Sequence, residues 1–266
     1  MILRAPHAHC AAHSSGRVLE RECPVDALSL RQPVGQLVVL RFAGTTAPAY
    51  VLEALRERRA AGVILFRDNV TGPAQVRALT ASLRSAGGRP IVAVDQEGGD
   101  IRILPWTPPR RSAPEQATSG TVRSDSKQAA RALRAAGITV TLAPVGDVPS
   151  VPGAALAPRS FSSDPDVTGA SQSRTIIGDV LRGRLGFRGV VVTDSMEARA
   201  SLDTGGIRAV SERAVRAGAD LVLLTGRGSY TPVYRHLLRG AQRSESLRAR
   251  VRESAARVLA LKQRRR

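Results

Sequence analysis

From about residue 34 onward, short runs of apolar and β-branched residues alternate with stretches whose apolar positions recur every three or four residues. That alternation marks βα units built around a parallel sheet. Six runs predict strands, at Val34–Phe42, Gly62–Phe66, Pro90–Asp95, Thr139–Val145, Gly189–Thr193 and Ala219–Thr225. Most are continuously apolar, as expected of strands covered on both faces. Between them Pro48–Ala60, Pro73–Ser85, Ser126–Ala136, Ser173–Arg184 and Gly206–Ala217 predict covering helices. Leu247, Val251, Val258 and Leu261 place one further apolar stripe on a C-terminal helix. Thr107–Asp125 and Pro149–Gly169, rich in Pro, Ser, Thr and Gly, predict long loops. Residues 29–266 read as one α/β domain behind a disordered leader at 1–28.

Composition narrows the picture. At 266 residues and 42% hydrophobic, the chain is long enough to bury a real core. Its longest apolar runs fall far short of the roughly 18 residues of a membrane span. The net charge of +18 points toward polyanions. Of the 40 basic residues, however, only Lys127 and Lys262 are lysines, and the arginines are scattered apart from the terminal Arg264, Arg265 and Arg266. A GC-rich coding sequence accounts for that bias better than a selected polyanion-binding surface does. With aromatic residues at 3% there is no base-stacking platform, so no nucleic-acid partner is expected. Cys10 and Cys23 form neither a redox pair nor a zinc pattern, and His7, His9, Cys10 and His13 lack a second ligand group. Residues 1–28 do not read as a secretory signal, which makes the cytoplasm the expected compartment.

Acidic residues gather just after strand ends: Asp95 and Glu97 after the third, Asp147 after the fourth, Asp194 after the fifth. In parallel α/β folds this edge binds ligands, because its loops vary without disturbing the sheet. Any one of these residues is equally well a helix cap or a turn former. Several on one edge favour a site.

Five blocks then occur in order: Gly62-Val-Ile-Leu-Phe66, Pro90-Ile-Val-Ala-Val-Asp-Gln-Glu-Gly-Gly99, Leu142-Ala-Pro-Val-Gly-Asp-Val148, Arg159-Ser-Phe161 and Leu185-Gly-Phe-Arg-Gly-Val-Val-Val-Thr-Asp-Ser-Met196. Together they resemble the N-terminal catalytic barrel of glycoside hydrolase family 3, in its single-domain β-N-acetylhexosaminidase branch, from about Leu30 to Gly226. The resemblance implies a TIM-like barrel that removes terminal β-linked N-acetylglucosamine with retention, for instance from peptidoglycan fragments, and uses no metal or organic cofactor. It assigns the nucleophile to Asp194, a sugar-hydroxyl contact to Asp95 and a substrate contact to Arg159. A carboxylate suits the first role because a nearby negative charge stabilises an oxocarbenium-like transition state and then captures it. Gly98 and Gly99 read as a close backbone approach at the site rim.

The departures are as specific. The family's Lys-His-Phe-Pro-Gly-His-Gly block and its loop bearing an Asp–His acid/base pair are missing between Asp166 and Thr175. This amounts to two βα units, about 70 residues at roughly 30 per unit, and predicts an incomplete TIM-barrel-like fold of about six parallel strands. The only histidine beyond the leader is His236, predicted on a helix. A further family arginine would fall at Ile103, with Arg102 one residue out of register, and Asp100 stands where the family often has Arg. Glu97 and Asp147 are the acids left near the strand ends. The leading reading is a retaining β-N-acetylhexosaminidase without its usual general acid. The alternative is a catalytically impaired remnant that keeps sugar binding. An incomplete barrel also leaves open sheet edges, which invite self-association.

Overall fold

Each of the six predicted apolar runs overlaps a strand in the computed structural model, which describes residues 2–3, 25, 28–143, 174–184, 186–197 and 205–263, and the fifth strand runs on past its predicted end at Thr193 to Ser195. The chain packs as two compact units, one of Arg41–Arg56 with Gly62–Ala170, the other of Ile2–Leu40 with Glu57–Ala61 and Ser171–Arg266.

In the first unit, β3 (Gly62–Leu65), β4 (Ile91–Val94) and β7 (Val140–Thr141) are parallel, with β4 in the middle. Gly62 pairs with Ile91 and Ala93 with Val140. All residues of β3 and β4 are buried, which is why both segments read as unbroken apolar runs rather than alternating ones. The covering helices are α2 (Ala49–Arg56), α3 (Pro73–Ser85), α4 (Ala113–Thr118) and α5 (Val122–Ala135). Pro73 opens α3, where a missing N–H costs nothing. Val76, Leu79, Thr80 and Leu83 form its buried face, from which Thr80 Oγ1 donates to the Ala136 carbonyl at 2.9 Å. The short β5 (Gln96–Gly98) and β6 (Ile101–Arg102) form an antiparallel hairpin directly after β4.

In the second unit, β8 (Val190–Ser195), β9 (Leu221–Leu224) and β2 (Val38–Arg41) are parallel, with β9 between the other two. The last parallel strand therefore lies beside the first, the neighbourhood that a cyclic (β/α) fold requires. Ile2–Leu3, β1, pairs antiparallel with β8. A π-helix over Thr175–Arg184 leads toward β8, followed by α6 (Ile207–Ala217), α7 (Tyr230–Arg243) and α8 (Glu245–Gln263). Leu37, Val38, Val222, Leu237, Leu247 and Val251, all fully buried, centre this unit's core. Among the described residues no helix is long and apolar enough to cross a membrane.

One charged cluster is sealed into this unit. Asp220, 0% exposed, accepts from Arg250 Nη2 (2.8 Å), Arg257 Nη1 (3.0 Å) and Ser254 Oγ (3.1 Å) on Oδ1, and from Arg182 Nη2 (2.5 Å) and the Val191 N–H (3.0 Å) on Oδ2. One carboxylate thus joins the π-helix, β8, β9 and α8. Burial draws the Arg182 guanidinium below its ordinary value, opposed by the charge of Asp220.

Two expectations need correction. The predicted strand at Val34–Phe42 begins only at Val38, because Arg31–Gly35 forms a short helix, α1. Val34 and Leu37 are buried in either conformation, so a continuous apolar run could not separate the two. The predicted loop Thr107–Asp125 holds α4 and the first turn of α5. The Glu115 carboxylate accepts from the Ser112 N–H (2.7 Å) and Oγ (2.8 Å), which starts α4. The predicted loop Pro149–Gly169 lies outside the described residues.

Candidate active site

Asp194 owes its position to a break in the β8–β9 ladder. Val192 pairs with Leu221 but Ser195 pairs with Leu223, so three steps along β8 match two along β9. Such a bulge re-aims the side chains of the bulged strand. Thr193 fills the gap, its Oγ1 accepting from the Leu223 N–H at 3.0 Å, and the Met196 N–H resumes the ladder by donating to the Leu223 carbonyl at 3.1 Å. Val190 to Thr193 are buried, whereas Asp194 is exposed at the C-terminal end of the strand. The Ser195 N–H donates to Asp194 Oδ1 at 2.6 Å, which occupies one carboxylate oxygen and leaves the other to solvent or substrate.

Behind Asp194 sits a second carboxylate. Glu197 Oε2 accepts from the Thr225 N–H (2.9 Å), Thr225 Oγ1 (3.3 Å) and Ser195 Oγ (3.2 Å), while the hydroxyls of Ser195 and Thr225 lie 2.5 Å apart. Burial alone would raise the Glu197 carboxyl, but the polar groups beside it, the Ser229 side chain and the Thr225 and Gly226 backbone foremost, outweigh it and hold the group below its ordinary range.

Asp95 follows β4 in the first unit, half-buried, and its carbonyl accepts from the Ile103 N–H at 3.1 Å. The neighbouring Gln96, 2% exposed, is the hub of this rim. Its Nε2 donates to Thr107 Oγ1 (2.7 Å) and to the Leu104 and Thr107 carbonyls (both 3.1 Å), and its Oε1 accepts from the Leu104 N–H (3.0 Å). Glu97 is buried, its carbonyl accepting from Gln116 Nε2 at 3.2 Å. Gly98 holds φ at +116°, and a β-carbon there would stand 2.0 Å from the Arg111 carbonyl oxygen, so no other residue fits. The close backbone approach read from the sequence is present.

Asp95 and Asp194 belong to different units, while Asp147 and Arg159 lie outside the described residues. His236 is on α7, as predicted, where its Nε2 pairs with Glu212 Oε2 at 2.7 Å. Glu197, Thr225 and Gln96 carry no mark in the sequence pattern, since polar residues flanking a strand end are ordinary turn formers. The nearest signal for Glu197 is its place three residues after Asp194. Among the described residues, no group of three or more His, Cys, Asp or Glu side chains could hold a metal ion.

The glycosyl hydrolase family 3 N-terminal domain matches residues 29–171 and 166–261. The chain belongs to glycosyl hydrolase family 3. A beta-hexosaminidase of Xanthomonas oryzae pv. oryzae is 24% identical over 279 aligned residues, covering 71% of this chain and 83% of that protein. The beta-N-acetylhexosaminidase of Beutenbergia cavernae superimposes with a TM-score of 0.77 at 27% identity, over 89% of this chain and 99% of the other. A family 3 beta-N-acetylglucosaminidase from Paenibacillus sp. gives the same TM-score of 0.77 at 25% identity, over 90% of this chain but only 63% of that chain. With six parallel strands among the described residues, this family 3 chain has an incomplete TIM-barrel-like α/β fold.

Proposed function

We propose that this family 3 chain hydrolyses terminal β-linked N-acetylhexosamines with retention, Asp194 being the nucleophile and Asp95 and Arg159 holding the sugar. Small N-acetylglucosamine-containing glycans such as peptidoglycan fragments are the substrate class. The observation that carries the reading is the bulge that turns Asp194 out of an otherwise buried strand end with one carboxylate oxygen already engaged. The free oxygen attacks the anomeric carbon. The Oδ–C1 bond forms as the C1–O bond breaks, and the leaving oxygen departs with the electron pair. Water then attacks C1 from the opposite face, gives up a proton to solvent and releases the Asp194 carboxylate, so the two inversions restore the β configuration.

Protonation of the leaving oxygen normally contributes about 10²–10⁴ in rate. On the reading that the family's Asp–His loop is missing, substrates whose leaving groups need no proton are favoured. An aryl N-acetyl-β-glucosaminide meets that condition, and nitrophenol release is the test. The reading expects turnover by the wild-type protein and its loss in Asp194→Asn. Equal turnover by the two proteins, or none by a folded wild type, overturns it; the second result would favour the sugar-binding remnant.

A further inference from the structure

We infer that Glu197 is a positioning residue for Asp194, acting through Ser195. The inference rests on the nucleophile reading above and deepens it. Ser195 makes two kinds of contact at once. Its backbone N–H holds Asp194 Oδ1 at 2.6 Å, while its side-chain hydroxyl reaches Glu197 Oε2 at 3.2 Å and Thr225 Oγ1 at 2.5 Å. Glu197 also accepts from the Thr225 N–H at 2.9 Å, the first backbone group beyond β9. The carboxylate therefore ties the ends of two neighbouring strands together just beyond the bulge in their ladder.

A bulge leaves one residue of the strand unpaired and re-aims its side chains, so a nucleophile carried on it keeps its aim best where side chains brace the strand end. Thr193 Oγ1 takes the Leu223 N–H within the bulge, and Glu197 braces the strand ends just beyond it. Two protein hydroxyls and a backbone N–H lie within hydrogen-bond distance of Oε2, and because the hydroxyls of Ser195 and Thr225 also bond each other at 2.5 Å, the carboxylate and the two hydroxyls form one small network. The chemistry of Glu197 is to hold Ser195, and through the Ser195 N–H to hold Asp194 Oδ1 so that the other oxygen faces the sugar. Gly226 fits this arrangement, since a β-carbon there would come within 2.8 Å of Glu197 Oε1.

The test compares nitrophenol release from the aryl N-acetyl-β-glucosaminide by wild type, Glu197→Gln, Glu197→Asp and Ser195→Ala, each confirmed folded by its melting curve. Loss of aim at a reacting atom costs up to about 10²-fold. Glu197→Gln is expected to lower kcat by about 10- to 100-fold with KM within about twofold, and Glu197→Asp to recover part of the loss. Ser195→Ala keeps the Glu197–Thr225 bond and the Ser195 N–H, so a smaller fall in kcat is expected. A merely structural role would instead lower the melting temperature without separating kcat from KM. The inference is overturned if Glu197→Gln and Ser195→Ala turn over as wild type does, or if KM rises while kcat holds. Should Glu197→Gln fail to fold, Ser195→Ala decides alone. An absence of Asp194-dependent turnover in the wild type brings down the nucleophile reading, and this role with it; Asp194-dependent turnover that is indifferent to Glu197 brings down only the positioning role.

Discussion

Replacing Asp220 by Ala should remove a substantial part of the stability of the second unit. The change deletes the carboxylate on which Arg182, Arg250 and Arg257 converge and leaves three cations with side chains only 14%, 14% and 22% exposed. Breaking a buried ion pair by removing one partner costs about 3–5 kcal/mol, because the remaining charge stays desolvated. Each arginine keeps something. Arg250 retains the Val215, Gly218 and Ala219 carbonyls and Glu253, Arg257 retains Glu253, and Arg182 retains the Gly189 and Gly218 carbonyls. These contacts place the cost near the lower end, about 3 kcal/mol. Against a typical total of about 5–15 kcal/mol this is a large fraction. At about 2–4 °C per kcal/mol for a chain of this size class, the melting temperature should fall by roughly 6–12 °C. Urea unfolding followed by far-ultraviolet circular dichroism reads the change as a lower midpoint at unchanged slope. Asp220→Asn, which keeps one acceptor oxygen, should lose less. A loss below about 1 kcal/mol in Asp220→Ala would refute the argument and mean that water reaches these arginines.

Three other predictions are independent of that cluster. Gly98→Ala should destabilise by about 1–3 kcal/mol, because its φ of +116° and the Arg111 carbonyl leave no room for a β-carbon, whereas Gly72→Ala, with open space and extended backbone, should stay within about 1 kcal/mol; equal urea midpoints would contradict this. Glu253, which burial would raise, is held below its ordinary range by Arg250 and Arg257, so its stabilisation is present above the unfolded value of about 4.3 and is lost as pH falls through the lower folded value. Unfolding free energy measured from pH 6 to 3 should therefore fall less steeply in Glu253→Gln than in wild type, and equal slopes would remove the claim. N-acetylglucosamine should raise the melting temperature by mass action, and an Asp95→Ala variant that shows the same rise would take the sugar contact away from Asp95.

The strands were legible because burial on both faces writes itself as continuous apolar sequence; Gly62–Leu65 and Ile91–Val94 are the clearest cases. The same property hid α1, whose Val34 is as buried in a helical turn as it would be in a strand. Helix α4 did carry a signal, Ser112 followed three residues later by Glu115, but it sits among Pro109, Pro114 and Gly120, whose turn chemistry dominates a compositional reading. At the site, Asp194 and Asp95 could be named because each follows an apolar run and falls in a block that resembles the family, and the glycines after Glu97 because a close backbone approach leaves few other choices. Glu197, Thr225 and Gln96 could not. Their roles arise from hydrogen bonds between β8 and β9 and across the rim after β4, contacts 28 residues apart in one case and 11 in another, and no local pattern records such pairings.

The central claim is that Asp194 attacks the sugar, and trapping the intermediate tests it most directly. A 5-fluoro N-acetylglucosaminyl fluoride slows the second step, so that a glycosyl-enzyme should accumulate and be visible by intact mass. Trypsin releases the segment as Gly189–Arg199, which contains both Asp194 and Glu197, and fragmentation distinguishes them. The account predicts one adduct per chain, located on Asp194 and missing from Asp194→Asn. An adduct on Glu197 or on another peptide, or no adduct on a folded protein that still releases nitrophenol, would contradict it.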